Sequence, residues 1–193
     1  MIATYGEAAP LATFTDIEDE LWQSVLSCPA PWHVFHLRSR TEKSVKTKAE
    51  QYVGGELVTL LPLFTKAKKY QRRLVRSQLP LFPGYLFVRS EEGAAREFAS
   101  RTNEVVNCLP VVNQNEFEHS MIQIARLVES GEEVRPESQL KPGTEVEITC
   151  GSMQGLRGTI VKELNSFRFV VNVNLLGTGA SIQMEEHMFE PVM

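Results

Sequence analysis

Residues 80–88 read Pro-Leu-Phe-Pro-Gly-Tyr-Leu-Phe-Val, and the reading of this stretch decides the first half of the fold. Pro83 fixes φ, Gly84 accepts a tight bend, and Tyr85–Val88 runs on as a compact apolar strand. A core strand needs only that last part. Phe82 and Tyr85, set on either side of a rigid corner, fit a pre-shaped aromatic patch for a partner equally well. The segment by itself leaves core strand and partner patch both open.

Upstream of this corner, Trp32–Leu37 (WHVFHL) alternates, with Trp32, Val34 and His36 facing one way and His33, Phe35 and Leu37 the other. Arg40–Tyr52 has helical composition and ends at Gly54-Gly55. Leu57–Phe64 and Tyr70–Leu79 read as two strands of a hairpin with lysines at its tip. Downstream, Glu91–Arg101 predicts a helix and Val105–Val112 a strand. Asn115–Ser130 predicts an amphipathic helix carrying Phe117, Met121, Ile124, Leu127 and Val128. Residues 1–28 read as an N-terminal extension. In it Thr15-Asp-Ile-Glu18 resembles a capping box, and Ile17, Leu21, Trp22 and Val25 predict one stripe of a short helix, packed on the body or on a partner.

This order predicts an α+β domain over residues 29–130, an antiparallel sheet flanked by helices. Residues 131–142 (GEEVRPESQLKP) are polar, acidic and proline-bearing, and read as a linker. From Gly143 onward the chain turns to short, glycine-punctuated strands: TEVEITC, GLRGTIVKEL, FRFVVNVNL and ASIQM. So small a β domain hides its edges best by closure, so a small SH3-like β-barrel is expected over residues 143–193.

Charge is unevenly spread. Between Arg38 and Arg76 there are 11 Lys/Arg against three Glu, a local charge of +8 in a chain whose net charge is −4. A basic block in an acidic protein points to a local polyanion contact. Six of those cations, Lys66, Lys68, Lys69, Arg72, Arg73 and Arg76, fall on the hairpin, with Lys43, Lys46 and Lys48 in the helix beside it. No apolar run approaches the roughly 20 residues of a membrane span, and the acidic N-terminal stretch is not a secretory signal. Cys28, Cys108 and Cys150 are odd in number and scattered, which fits a reducing cytoplasm rather than a disulfide framework or metal quartet.

Enzymatic signatures are wanting. His33 and His36 point to opposite faces of their strand, His119 and His187 have no companions at ligand spacing, and neither a P-loop, a dinucleotide glycine pattern nor a nucleophile elbow occurs. No catalytic residue, metal or cofactor is therefore expected.

The pattern from Gly143 through Gly151, Met153, Gly155 and Gly158 to Val161 resembles the KOW motif of NusG-type factors and some ribosomal proteins. Taken with the Trp32 strand, the basic helix and hairpin and PLFPGYLFV, residues 31–193 resemble the NusG/RfaH family of transcription elongation factors, in the manner of a specialised paralog. The resemblance implies an NGN domain that docks on the clamp coiled coil of RNA polymerase through His36, Phe82, Pro83, Tyr85 and Phe87. It implies that Arg38, Lys48 and the six hairpin cations face DNA of the transcription bubble. Met153 would lie in the KOW surface that binds a second partner, a small-subunit ribosomal protein or the factor Rho. A cytoplasmic, monomeric elongation and antitermination factor is the expectation. The alternative, a ribosome-associated or RNA-binding KOW protein, would carry its basic patch on residues 143–193, where Arg157, Lys162 and Arg168 face six glutamates.

Overall fold

The computed structural model describes residues 17–70, 73–139, 143–163 and 166–192. The chain forms an α+β lobe followed by a strand-rich lobe, α+β taken together. In the first, β1 (Trp32–Leu37), β2 (Val58–Leu60), β5 (Tyr85–Arg89) and β6 (Val105–Pro110) make an antiparallel sheet in the order β2-β5-β1-β6. Alternation along β1 divides its side chains between two cores. Trp32 and Val34 pack with Phe87, Leu60 and the helices α1 (Glu20–Ser27) and α4 (Gln114–Glu129). Phe35 and Leu37 pack with Leu86 and Val88 under α2 (Glu42–Glu50) and α3 (Glu92–Arg101). Both faces of the sheet are therefore covered.

Gln114, at the start of α4, ties helix to sheet. Its side chain accepts from the Trp32 N–H at 2.7 Å and donates to the Trp32 carbonyl at 3.0 Å. The Trp32 ring packs edge-on against Phe117, with the Arg89 guanidinium 4.8 Å from its centre.

Three expectations shift here. The strand expected over Leu57–Phe64 is broken at Leu61-Pro62, because Pro62 has no N–H to lend a ladder and its carbonyl instead accepts from Leu81 N–H at 2.8 Å. Beyond the break, β3 (Leu63–Tyr70) pairs with β4 (Arg73–Pro80) as a separate two-stranded ribbon. The first helix is capped by Asp19, whose side chain accepts from the Leu21 and Trp22 N–H groups, and Leu21 is exposed; Thr15 and Asp16 of the expected capping box lie outside the described residues.

The second lobe holds β7 (Arg135–Glu137), β8 (Thr144–Ile148), β9 (Arg157–Lys162), β10 (Phe167–Val173), β11 (Thr178–Met184) and β12 (Phe189–Pro191), in the order β12-β8-β9-β10-β11-β7. At Gly158 a Cβ would sit 2.5 Å from the Val170 carbonyl oxygen and 2.8 Å from the Phe169 ring, so only glycine lets β9 lie this close to β10. The sheet does not close into the expected barrel among the described residues. Its ends are two three-residue strands, and β7 occupies the edge of β11 that closure would require.

That edge strand comes from the stretch read as a linker. It is held by a buried network: Ser181 donates to Glu137 Oε1 at 2.6 Å, and Arg168, 5% exposed, donates to Ser181 Oγ and lies 3.4 Å from the same carboxylate oxygen. Removing one partner of such a pair leaves a desolvated charge uncompensated. Arg168→Ala should therefore cost about 3 kcal/mol in urea denaturation and speed amide exchange at residues 135–137. Unchanged exchange there would show that the network does not hold β7.

Candidate functional site

The two rings expected at the partner surface are inside. Phe82 is 2% and Phe87 0% exposed, stacked edge-on with centroids 5.4 Å apart, and Phe87 continues to Phe117 at 5.8 Å. The cause is topological: β5 lies between β2 and β1 with helices on both sides, so both of its faces are taken up by the cores. Only the turn ahead of β5 and the strand's first residue reach outward, with Pro83 exposed and Tyr85 half-buried. His36, across the ladder from Tyr85, stacks on its ring at 5.4 Å.

This turn is gripped from both sides. Gly84 has φ +83, which admits the bend at no steric cost. Its carbonyl accepts from Leu37 N–H at 2.7 Å, and its N–H donates to Glu42 Oε1 at 2.8 Å. Glu42 is 6% exposed. Sequence reasoning passed over it as one of three acidic residues in the basic block; its place in the first turn of a lysine-rich helix was the available signal.

Beside the turn lies a hollow of about 330 Å³, walled by Leu81, Phe82, Pro83 and Tyr85 on one side and by Pro136, Glu137, Ser138 and Thr178 on the other. The Thr178 hydroxyl is buried there without a hydrogen-bond partner among the described residues.

The cations take two forms. Lys48 pairs with Glu104, and this ammonium holds the Glu104 carboxyl below its usual value; Arg38 adds to that field. Lys66, Lys68, Lys69 and Arg76 are exposed on a ribbon of two eight-residue strands, about 27 Å long at 3.4 Å per residue. Opposite residues share a face, so Lys66 and Lys68 lie with Ser77 and Val75 on one side, and Lys69 with Leu74 and Arg76 on the other. The ribbon is positive on both sides. Arg73 is placed only by its backbone, opposite Tyr70, and Arg72 lies outside the described residues.

The family model described as "Transcription termination factor nusG" matches residues 30–132, more than half of the 193. The chain belongs to the NusG family. It is a transcription factor of the NusG type by that membership. Among solved structures, a chain of "Crystal Structure of MjSpt4:Spt5 complex conformation B" aligns over 83% of this chain and 96% of its own, with 14% identity and a TM-score of 0.28. No curated protein matches.

In this NusG-family chain the second lobe docks on α4. Gln123 accepts from Arg157 N–H at 2.9 Å, Arg126 donates to the carbonyls of Ser152 and Gln154, and Asn174 donates to Glu116 at 3.0 Å. Met153, expected to face a partner, is 4% exposed in the core that runs through both lobes. On the same helix, burial and then the Arg157 guanidinium push the His119 imidazole below its ordinary value.

Two outcomes follow from these contacts. Glu42→Leu should lose about 2 kcal/mol and expose the Gly84 amide to exchange, whereas Glu42→Gln, which keeps the acceptor, should do neither; equal losses would deny the carbonyl-like role. Because the fold favours neutral His119, its contribution is whole above about pH 6.5 and declines as pH falls through the lowered value. Thermal melts should thus show an acid-induced drop that His119→Gln lessens; an undiminished drop would place it in other groups.

Proposed function

We propose that this chain is an elongation and antitermination factor whose first domain, residues 29–130, binds the clamp coiled coil of RNA polymerase at the Pro83–Tyr85 turn. The observation that carries this reading is the turn itself: an apolar corner held rigid by two backbone bonds, opening on a hollow of about 330 Å³. Pro83, Tyr85 and His36 would make the contact, with Phe82 and Phe87 as the packed floor that keeps Tyr85 in place. Rigid aromatic anchors dominate interfaces of this kind.

A helix is about 10 Å across, so it enters only as the wall made by β7 and β11 moves aside. The same movement would free Met153, through which the KOW domain, residues 143–193, would recruit a ribosomal protein or Rho. Arg38, Lys48 and the hairpin cations would steady DNA of the transcription bubble, since a ribbon positive on both sides suits a strand passing along either. A chain bound to both polymerase and DNA favours the state in which both contacts exist, the elongating one over the paused. The setting is the cytoplasm. The ribosome-associated alternative is disfavoured by the second lobe's excess of glutamate.

Titration of the full chain with an isolated clamp coiled coil tests the contact. Tyr85→Ala should weaken binding at least tenfold, about 1.4 kcal/mol, with the melting temperature little changed. Phe82→Ala should instead lower stability by about 3–4 kcal/mol. Full affinity in Tyr85→Ala would overturn the assignment.

A further inference from the structure

Arg40 is the one non-glycine residue with positive φ among the described residues, at φ 66. In that region the Cβ crowds the following carbonyl, a strain that glycine escapes and that Asn or Asp relieve through short side-chain hydrogen bonds. Arginine has neither remedy. The shape of its corner is fixed by other groups. Thr41 donates from N–H and Oγ1 to the Arg38 carbonyl at 3.3 and 2.7 Å, and the flanking Leu37 and Glu42 hold the Gly84 peptide.

The Arg40 side chain itself is exposed, and no described residue makes a hydrogen bond or ion pair with it. Lys46 and Lys48, on the helix that follows, differ in this respect, being paired with Glu50 and Glu104. So nothing among the described residues offsets the strain of an arginine at this position. The corner is also joined to the ribbon. Lys43, in the first turn of α2, donates to the Gln78 carbonyl on β4 at 3.2 Å, and Arg76 stands two residues along the same strand. Arg40, Lys43 and Arg76 thus mark a cationic line from the corner to the hairpin.

We propose that Arg40 contacts a nucleic-acid phosphate and begins a backbone track that runs by way of Lys43 to the hairpin. Its planar fork suits two phosphate oxygens at once. This rests on the reading of the hairpin as the nucleic-acid edge, and adds a residue that reading did not select.

Fluorescence anisotropy of a labelled single-stranded DNA oligonucleotide, titrated with the full chain at several salt concentrations, tests it alongside thermal melts. Arg40→Gly should give effects of opposite sign: a melting temperature higher by about 1–2 °C, with affinity about threefold weaker and the salt slope smaller by about 0.7. Arg40→Lys should retain the slope. Wild-type affinity and slope in Arg40→Gly would overturn the assignment, and so would a lowered melting temperature, which would give the arginine a structural role. The triple variant Lys66→Ala, Lys69→Ala, Arg76→Ala separates the two ideas. If it still binds like wild type, the hairpin reading itself fails; if it loses binding while Arg40→Gly does not, only the Arg40 proposal fails.

Discussion

A central strand buried on both faces has no side chain to spare, and beyond its first residue β5 is such a strand. Leu86 and Val88 belong to one core, Phe87 to the other, and the ladders to β1 and β2 use its backbone on both edges. Whatever the aromatic segment offers to a partner must therefore come from the turn that precedes it and from Tyr85, the half-buried first residue of the strand. That turn is given its shape by backbone groups: the Gly84 peptide is held through its carbonyl by Leu37 and through its N–H by a buried carboxylate. The surface of Pro83, Tyr85 and His36 is consequently pre-organised, which lowers the ordering cost of any contact made there.

The same economy governs the second lobe. Only residues 131–134 separate the end of α4 and its cap at Ser130 from β7, because the rest of the expected tether is partly consumed as a strand. A short connection keeps the lobes close, and the polar contacts along α4 then fix their relation. The Arg168–Ser181–Glu137 network matters to this arrangement out of proportion to its size, since it decides how much of the connection is strand and how much is free chain.

Much of this was legible in the chain. The alternation of WHVFHL placed Trp32 and Val34 opposite Phe35 and Leu37 as found, and the apolar spacing of Phe117, Met121, Ile124 and Leu127 marked α4. Local patterns of this kind survive because burial acts on them directly. What escaped depends on distant partners. An acidic, proline-bearing stretch carries no local sign that Glu137 will meet Arg168, and the apolar alternation of YLFV does not say that both faces are covered. Glu42 escaped for the same reason, its partner being the backbone of a turn 42 residues away. Pro62 was a visible warning of the broken strand.

In the function proposed above, the Pro83–Tyr85 turn would lie against the clamp coiled coil of RNA polymerase during transcription. The most direct measurement is photo-crosslinking from a benzophenone amino acid placed at position 83 in the full chain, within transcribing complexes, with the attached polymerase peptide mapped by mass spectrometry. Crosslinks should concentrate in the coiled coil. Crosslinks confined to other parts of the polymerase, or to the chain's own second lobe throughout elongation, would contradict it.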